Sequence, residues 1–364
     1  MAQIPNIADL TINPVEVQDI SQVIAQKLWQ NEQFLKLFNV VDGISKKTQI
    51  LLDATSGRAG WKATGCAAVA SGGMDIKMAE LFWDTVTIED TLEICQSDLD
   101  SNFKLLVRAN SKDKFGDLTE QEAINVFVTA RVLEFIMQAY ERLIFLGDTD
   151  ADNTGDGGYV KDAVNIKFYN SVDGFFKQMF AGVQAGTTTR TTIAKNTLAT
   201  KALQIAITDN EAFAVVKGLY DNAPDIVKLD PTAYIYVTPR IYNGYKNYLA
   251  SNTLSGGGLS TMTVDGVTNV AYMGVPVYTS LFVGKTILED FEITDGGSPE
   301  VLTYNLPHRG YMATPDIVSV ATLSDEDIKS LEQFYVQKDR KSFIRFDFDL
   351  DVKVLRPELV SVAY

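Results

Sequence analysis

The sequence predicts an α+β fold built around one long helix and one long C-terminal strand, and three observations carry that reading. From Ile344 to Val354 every even position is apolar and every odd one charged, the period-two pattern of a strand with one greasy and one charged face. At about 3.3 Å per residue such a strand spans roughly 35 Å. Thr119-Glu120-Gln121-Glu122 forms a capping box ahead of a largely apolar run that ends near Gly147, which predicts a helix over 119–146. Between these two landmarks, short strand and helix patterns alternate in mixed order.

The remaining elements follow from spacing. Val17, Ile20, Val23, Ile24, Leu28, Phe34, Leu35 and Phe38 recur at helical intervals and predict one or two amphipathic helices over 15–40. From Gln49 to Glu93 the texture is β, broken by glycines, with Trp61, Phe82, Trp83, Val86 and Ile88 as strand formers. Ser71-Gly72-Gly73 suits a hairpin tip, giving arms near 58–70 and 74–90 with little core of their own. In the long helix Arg131, Glu134, Gln138 and Glu141 share one polar stripe while apolar residues cover the rest, so it is buried on more than one side.

Residues 148–165 read as a Gly/Asp loop, 197–220 as a helix, Ala233–Val237 as a strand, Pro239 as the start of a helix to about Ser251, and Val270–Thr279 as a strand interrupted by Gly274 and Pro276. The chain ends on an apolar, strand-prone segment, Leu359–Tyr364, which is expected to dock into a sheet because loose tails are polar.

Composition limits the function classes. A chain of 364 residues, 46% hydrophobic and 22% charged, buries a substantial core and is expected to hold more than one domain. No apolar run reaches the roughly 18 residues that cross a bilayer, and the first residues lack a signal-peptide pattern, so a cytoplasmic setting without membrane contact is expected. Cys66 and Cys95 form no CxxC pair and read as buried free thiols. A net charge of −15 disfavours tight nucleic-acid binding but is compatible with enclosing a polyanion without gripping it.

Catalytic constellations are missing from the pattern. The one histidine, His308, sits beside Pro307 and reads as a loop residue. Gly284-Lys285-Thr286 resembles the end of a phosphate loop, but Thr279 stands where the first glycine belongs. Asp148, Asp150, Asp152 and Asp156 are spaced like the start of a calcium loop, although Asn153 replaces its turn glycine and Tyr159 its closing glutamate. A solvated loop is the favoured account there, and no cofactor is expected. Lys338, Arg340, Lys341 and Arg345 gather ahead of the terminal strand, either as a solvated turn or as partners for acidic groups on another copy. A hydrolase using Asp98, Asp100 or Asp173 is the alternative from another class, but no carboxylate pair is evident.

Taken in order, an N-terminal arm, an extended β arm, a spine helix, a mixed domain and a return strand resemble the major capsid proteins of tailed bacteriophages, with the Hong-Kong-97-type fold. The stretches that carry the likeness are Glu93–Leu99, Tyr236–Tyr242, Tyr272–Val277, Gly310–Asp316 and Phe346–Tyr364. The resemblance implies an N-arm over 1–48, an extended loop over 49–93, a peripheral domain from 94–170 and 321–364 that holds the spine helix, and an axial domain over 171–320. It implies a shell of pentamers and hexamers enclosing double-stranded DNA in a virion assembled in a bacterial cytoplasm, with portal, scaffolding and decoration proteins as partners. The implied interface residues are Arg58, Lys62, Lys77 and Trp83 on the extended loop. Lys338, Arg340, Arg345, Asp347, Asp349 and Asp351 are the others, the three aspartates facing outwards towards Arg58 and Lys62 of a neighbour. Lys62 or Lys77 would serve if subunits were welded by isopeptide bonds. The short polar lead after Met1 suggests a separate scaffold or none. An encapsulin-like compartment is the second structural possibility.

Overall fold

In the computed structural model, residues 37–44, 47–57, 74–95, 134–198, 200–252, 261–264, 267–292, 306–322, 330–336 and 341–364 are described. Strand β1 (Asn39–Val41) leads into β2 (Lys47–Gly57) and β3 (Met74–Asp84), and after Thr85 the chain enters β4 (Val86–Cys95). β2 and β3 form a two-stranded antiparallel hairpin in register from Lys47↔Asp84 to Gly57↔Met74. The hairpin arms are therefore 47–57 and 74–84 rather than 58–70 and 74–90. The expected tip at 71–73 and residues 58–70 lie outside the described residues, as do the capping box at Thr119 and the first part, 15–36, of the helices expected over 15–40; the end of that span is corrected, because Asn39–Val41 is strand.

Helix α1 spans 134–146. Ile136, Tyr140, Leu143, Ile144, Phe145 and Leu146 are buried and Glu134 of the expected polar stripe faces solvent, but Gln138 and Glu141 are half-buried and Phe135, off the stripe, is exposed. After it come α2 (Phe175–Gln184), β5 (Thr189–Thr191), α3 (Lys201–Ile205), α4 (Asp209–Asn222), α5 (Asp225–Lys228), β6 (Tyr234–Val237) and α6 (Pro239–Asn252). The single helix expected over 197–220 is two, because Thr208 starts α4 afresh. Its hydroxyl accepts from the Glu211 amide while the Glu211 carboxylate accepts from the Thr208 amide, a complete capping box.

β7 (Thr261–Val264), β8 (Val267–Tyr272) and β9 (Val275–Tyr278) precede α7 (Leu281–Asp290). The interruption at Gly274 is a two-residue hairpin, with φ of 49° at Met273 and 85° at Gly274, the primed turn whose twist matches paired strands. β10 (Gly310–Ala313), β11 (Val318–Ala321), β12 (Ser330–Val336), β13 (Lys341–Val354) and β14 (Ser361–Ala363) complete the chain.

Two sheets organise the described residues beside the hairpin. One runs β1-β11-β13-β12 with β4 also paired to β13; the other runs β5-β14-β10-β6-β9-β8-β7. β13 is the common rail of the first. It pairs with β4 from Lys341 to Leu350, with β12 from Lys341 to Asp347, and with β11 from Asp351 to Val354. Near its end the Gln178 amide of α2 stands in for a strand, donating to the Val352 carbonyl at 2.6 Å and accepting from the Val354 amide at 2.9 Å, so two buried backbone groups are satisfied by a side chain.

The apolar face of β13 lies against α1. Ile344, Phe346, Phe348, Leu350 and Val352 are buried, and Phe348 stacks on Tyr140 with ring centroids 4.2 Å apart. The C-terminal segment docks as expected: β14 lies between β10 and β5, and Tyr364 is buried with the Arg190 guanidinium 4.1 Å from its ring centre. β14 thus belongs to the second sheet, whereas β13 belongs to the first. A stacked aromatic series, Phe145, Tyr236 and Tyr311, continues from α1 into the second sheet, so one core serves both.

Candidate functional site

The hairpin leaves the first sheet at Val41 and returns to it at Val86, and its root is built from both ends. Trp83 is 3% exposed and packs with Ile44 and Ala321, flanked by Val41 and Ile50. The Ile44 amide donates to the Thr322 carbonyl and the Thr322 amide to the Val41 carbonyl, which extends the β1–β11 pairing to the start of β2. Trp83 was expected at a subunit interface; in this chain it plugs the root of its own arm. An indole amid three strands excludes water from the backbone bonds around it.

Two aspartates of β13 hold the other side of the root. The Asp84 amide donates to the Asp351 carboxylate at 2.8 Å, the Val352 amide donates to its second oxygen at 2.8 Å, and Lys353 Nζ stands 3.6 Å away. The Thr87 hydroxyl donates to Asp349. Asp349 is 8% and Asp351 5% exposed, so the expectation of three outward-facing aspartates is corrected for these two. The alternation sets which face they occupy, but the β3–β4 corner covers that face. Burial raises the Asp351 pKa above the ordinary carboxylate value, partly offset by the Asp84 bond and Lys353. Asp347 is half-buried and pairs in register with Glu89 of β4.

Arg345 reaches Glu89 across the β4–β13 ladder at 2.5 Å with both side chains well exposed, a rim pair of the kind worth about 0–1 kcal/mol. Lys77 is placed by its backbone in β3 opposite Ala54. Arg58, Lys62, Lys338, Arg340, Cys66, Asp98 and Asp100 lie outside the described residues.

The acidic loop has a different centre from the one expected. Lys177 of α2 meets Asp148, Asp150 at 2.8 Å and Asp173 at 3.0 Å. Asp148 is buried and also accepts from the Tyr159 hydroxyl at 2.9 Å. Burial opposes the Lys177 charge, yet the three carboxylates outweigh it and hold the ammonium above its usual range. Asp173 is likewise tied, by the Thr149 amide and hydroxyl. These carboxylates therefore share an ammonium that knots the loop to α2, while Asp152 and Asp156 face solvent. Among the described residues there is no group of three or more His, Cys, Asp or Glu side chains able to hold a metal. Lys177 was legible only as the i+4 partner of Asp173.

His308 is wholly buried. Its Nε2 donates to the Gln204 carbonyl at 2.8 Å, Nδ1 has no hydrogen-bond partner among the described residues, and Asn196 brackets its backbone on both sides. Gly284, the residue that suggested a phosphate loop, lies inside α7, where a Cβ would come within 2.4 Å of Pro239 Cδ; the glycine serves helix packing. No described helix is long and apolar enough to cross a membrane.

No family model matches the chain, and no curated protein matches it. Solved structures do. The chain is similar to a satellite phage P4 procapsid containing the size-determination protein Sid, with TM-score 0.49 and 10% identity over 94% of this chain and 98% of that one. It is similar to the capsid of cyanophage P-SCSP1u, with TM-score 0.47 and 17% identity over 91% and 87%. It is also similar to the SrpI encapsulin of Synechococcus elongatus PCC 7942, with TM-score 0.41 and 9% identity over 92% and 87%.

Proposed function

We propose that this chain is the shell-forming coat protein of a tailed bacteriophage, with the β2–β3 hairpin reaching onto a neighbouring copy. The observation that carries the reading is the hairpin itself. Eleven residues pair with eleven, no third strand joins them among the described residues, and the packed cluster at Trp83 lies only at the root. A two-stranded ribbon is marginal in water on its own, so an arm of this length calls for a surface to lie on. We read that surface as another copy of the same chain.

The rest of the molecule suits a shell subunit. The root is packed around Trp83, β13 spans the first sheet, and the shared aromatic core ties both sheets into one body. The net charge of −15 suits a wall that encloses DNA without immobilising it. Pentamers and hexamers, a lumen filled with DNA, and portal, scaffolding and decoration partners belong to this same reading.

Sedimentation velocity and negative-stain electron microscopy of the purified full-length protein test it, with and without co-expressed scaffold. Closed particles that vanish when residues 51–80 are replaced by a tight turn support the reading. A protein that stays monomeric in every condition overturns it, and particles filled with a protein cargo instead of DNA favour the compartment alternative.

A further inference from the structure

Two of the chain's crossings between the two sheets meet at one place on the surface. The turn from β10 to β11 (314–317) and the link from β13 to β14 (355–360) lie side by side, tied by the Leu355 amide donating to the Ile317 carbonyl at 2.8 Å. The Thr188 hydroxyl fixes the link further by donating to the Pro357 carbonyl at 2.9 Å. Together with α5 they enclose a groove of about 350 Å³ whose apolar wall includes Ile226, Ile317, Leu355 and Leu359. Next to the groove two large apolar side chains stand out from the surface: Ile226 is 66% and Leu229 84% exposed. Three residues apart, they share one face. A single exposed leucine needs no explanation, but a projecting pair beside an apolar recess does.

The rim carries both signs of charge. Asp316 and Arg356 line the groove and are exposed, and neither has an ion-pair or hydrogen-bond partner for its side chain among the described residues. Asp230, the other acid of the groove, is occupied by the Thr232 amide and hydroxyl. The patch therefore holds a knob and a recess, and a cation and an anion that are unpaired among the described residues. A surface with both halves of each complement is suited to itself across a two-fold axis, where residue i meets j and j meets i.

We infer that this groove is an isologous contact between two copies of this chain. Leu229 of each copy enters the other's groove against Ile317 and Leu355, and Arg356 of each pairs with Asp316 of the other. The inference rests on the reading that copies of the chain associate, and it adds a second contact that does not involve the hairpin. Knob and charge pairs fix the register of this contact.

Reciprocity gives the test. In full-length protein, Arg356→Glu or Asp316→Arg places two like-charge pairs in every contact, whereas an equimolar mixture of the two variants restores two opposite-charge pairs. Sedimentation equilibrium at low salt should show each single variant associating about tenfold more weakly than the unsubstituted chain, with the mixture recovering most of the loss. Leu229→Ser should weaken association comparably and stay weak in any mixture. Circular dichroism of each variant shows whether it is folded, and a folded single variant that associates normally overturns the contact. So does a mixture that fails to recover, which would point to another occupant of the groove. Negative stain of the same samples separates the two readings. Shells unaffected by the single substitutions sink this contact and leave the shell reading standing; reciprocal dimers that never close into shells do the reverse.

Discussion

The Asp84 amide donates to the Asp351 carboxylate at 2.8 Å across 267 residues of sequence, joining the last residue of the projecting hairpin to the C-terminal part of β13. Asp351→Ala leaves the Asp84 and Val352 amides without their acceptor, at a cost of about 1–3 kcal/mol. Hydrogen exchange should show the amides of 83–86 losing protection first, while those of β14 are unchanged. Asp351→Asn keeps an acceptor and removes a buried charge. The raised pKa of Asp351 stabilises the fold below the ordinary carboxylate value and loses that contribution as pH rises through the raised one. The cost of Asp351→Asn therefore shrinks with rising pH, as read by urea melts at several pH values.

Phe348 and Arg345 are neighbours on β13 with opposite energetic standing. Phe348→Ala opens a cavity beneath Tyr140 and should cost about 3–5 kcal/mol. Arg345→Ala removes an exposed pair with Glu89 and should cost under about 1 kcal/mol. Paired chemical melts of the two variants check this. Similar losses would mean that the apolar face is not the principal bond between β13 and α1.

His308 is the single histidine of the chain, so its imidazole resonances can be followed without overlap. Burial, partly opposed by the Gln204 carbonyl, pushes its pKa down to about 4 from 6.5. The unfolded chain then binds the proton more readily, and stability falls as pH drops from about 6.5 towards about 4, by up to about 3 kcal/mol from this group. NMR should find the ring neutral at pH 6. A midpoint near 6.5 would contradict its burial.

Lys177 neutralises the buried Asp148 and two further carboxylates. Lys177→Met strands Asp148 as an uncompensated buried charge, at a cost of about 3–5 kcal/mol, and frees the 147–174 loop for proteolysis. Asp150→Asn, at the exposed corner of the knot, should cost under about 1 kcal/mol. Limited proteolysis with urea melts separates the two.

The sequence showed the elements whose signal is local. The alternation of 344–354 gave β13 and its apolar side, the polar stripe gave the exposed Glu134 of α1 but not the exposed Phe135, and the apolar tail gave β14. What it hid depends on covering by distant elements. Alternation says which face Asp349 and Asp351 occupy but not that Thr87 and Asp84 cover that face. Trp83 reads as a strand residue whether it plugs a root or meets a neighbour. The hairpin register was misplaced because glycines drew the turn to 71–73, whereas β2 already begins at Lys47. The break between α3 and α4 was readable, since Thr208 and Glu211 are spaced as a capping box inside the expected helix. Of the Lys177 knot only the i+4 spacing to Asp173 was readable, and the groove beside Leu229 was not, because residues over 100 positions apart build it.

Electron cryomicroscopy of assembled particles, at a resolution that traces the backbone, tests the central claim most directly. The account predicts closed shells in which the β2–β3 hairpin of each copy, held at its root by Trp83 and Asp351, lies across an adjacent copy. A hairpin folded back on its own subunit, or a protein that forms no particle, would contradict it.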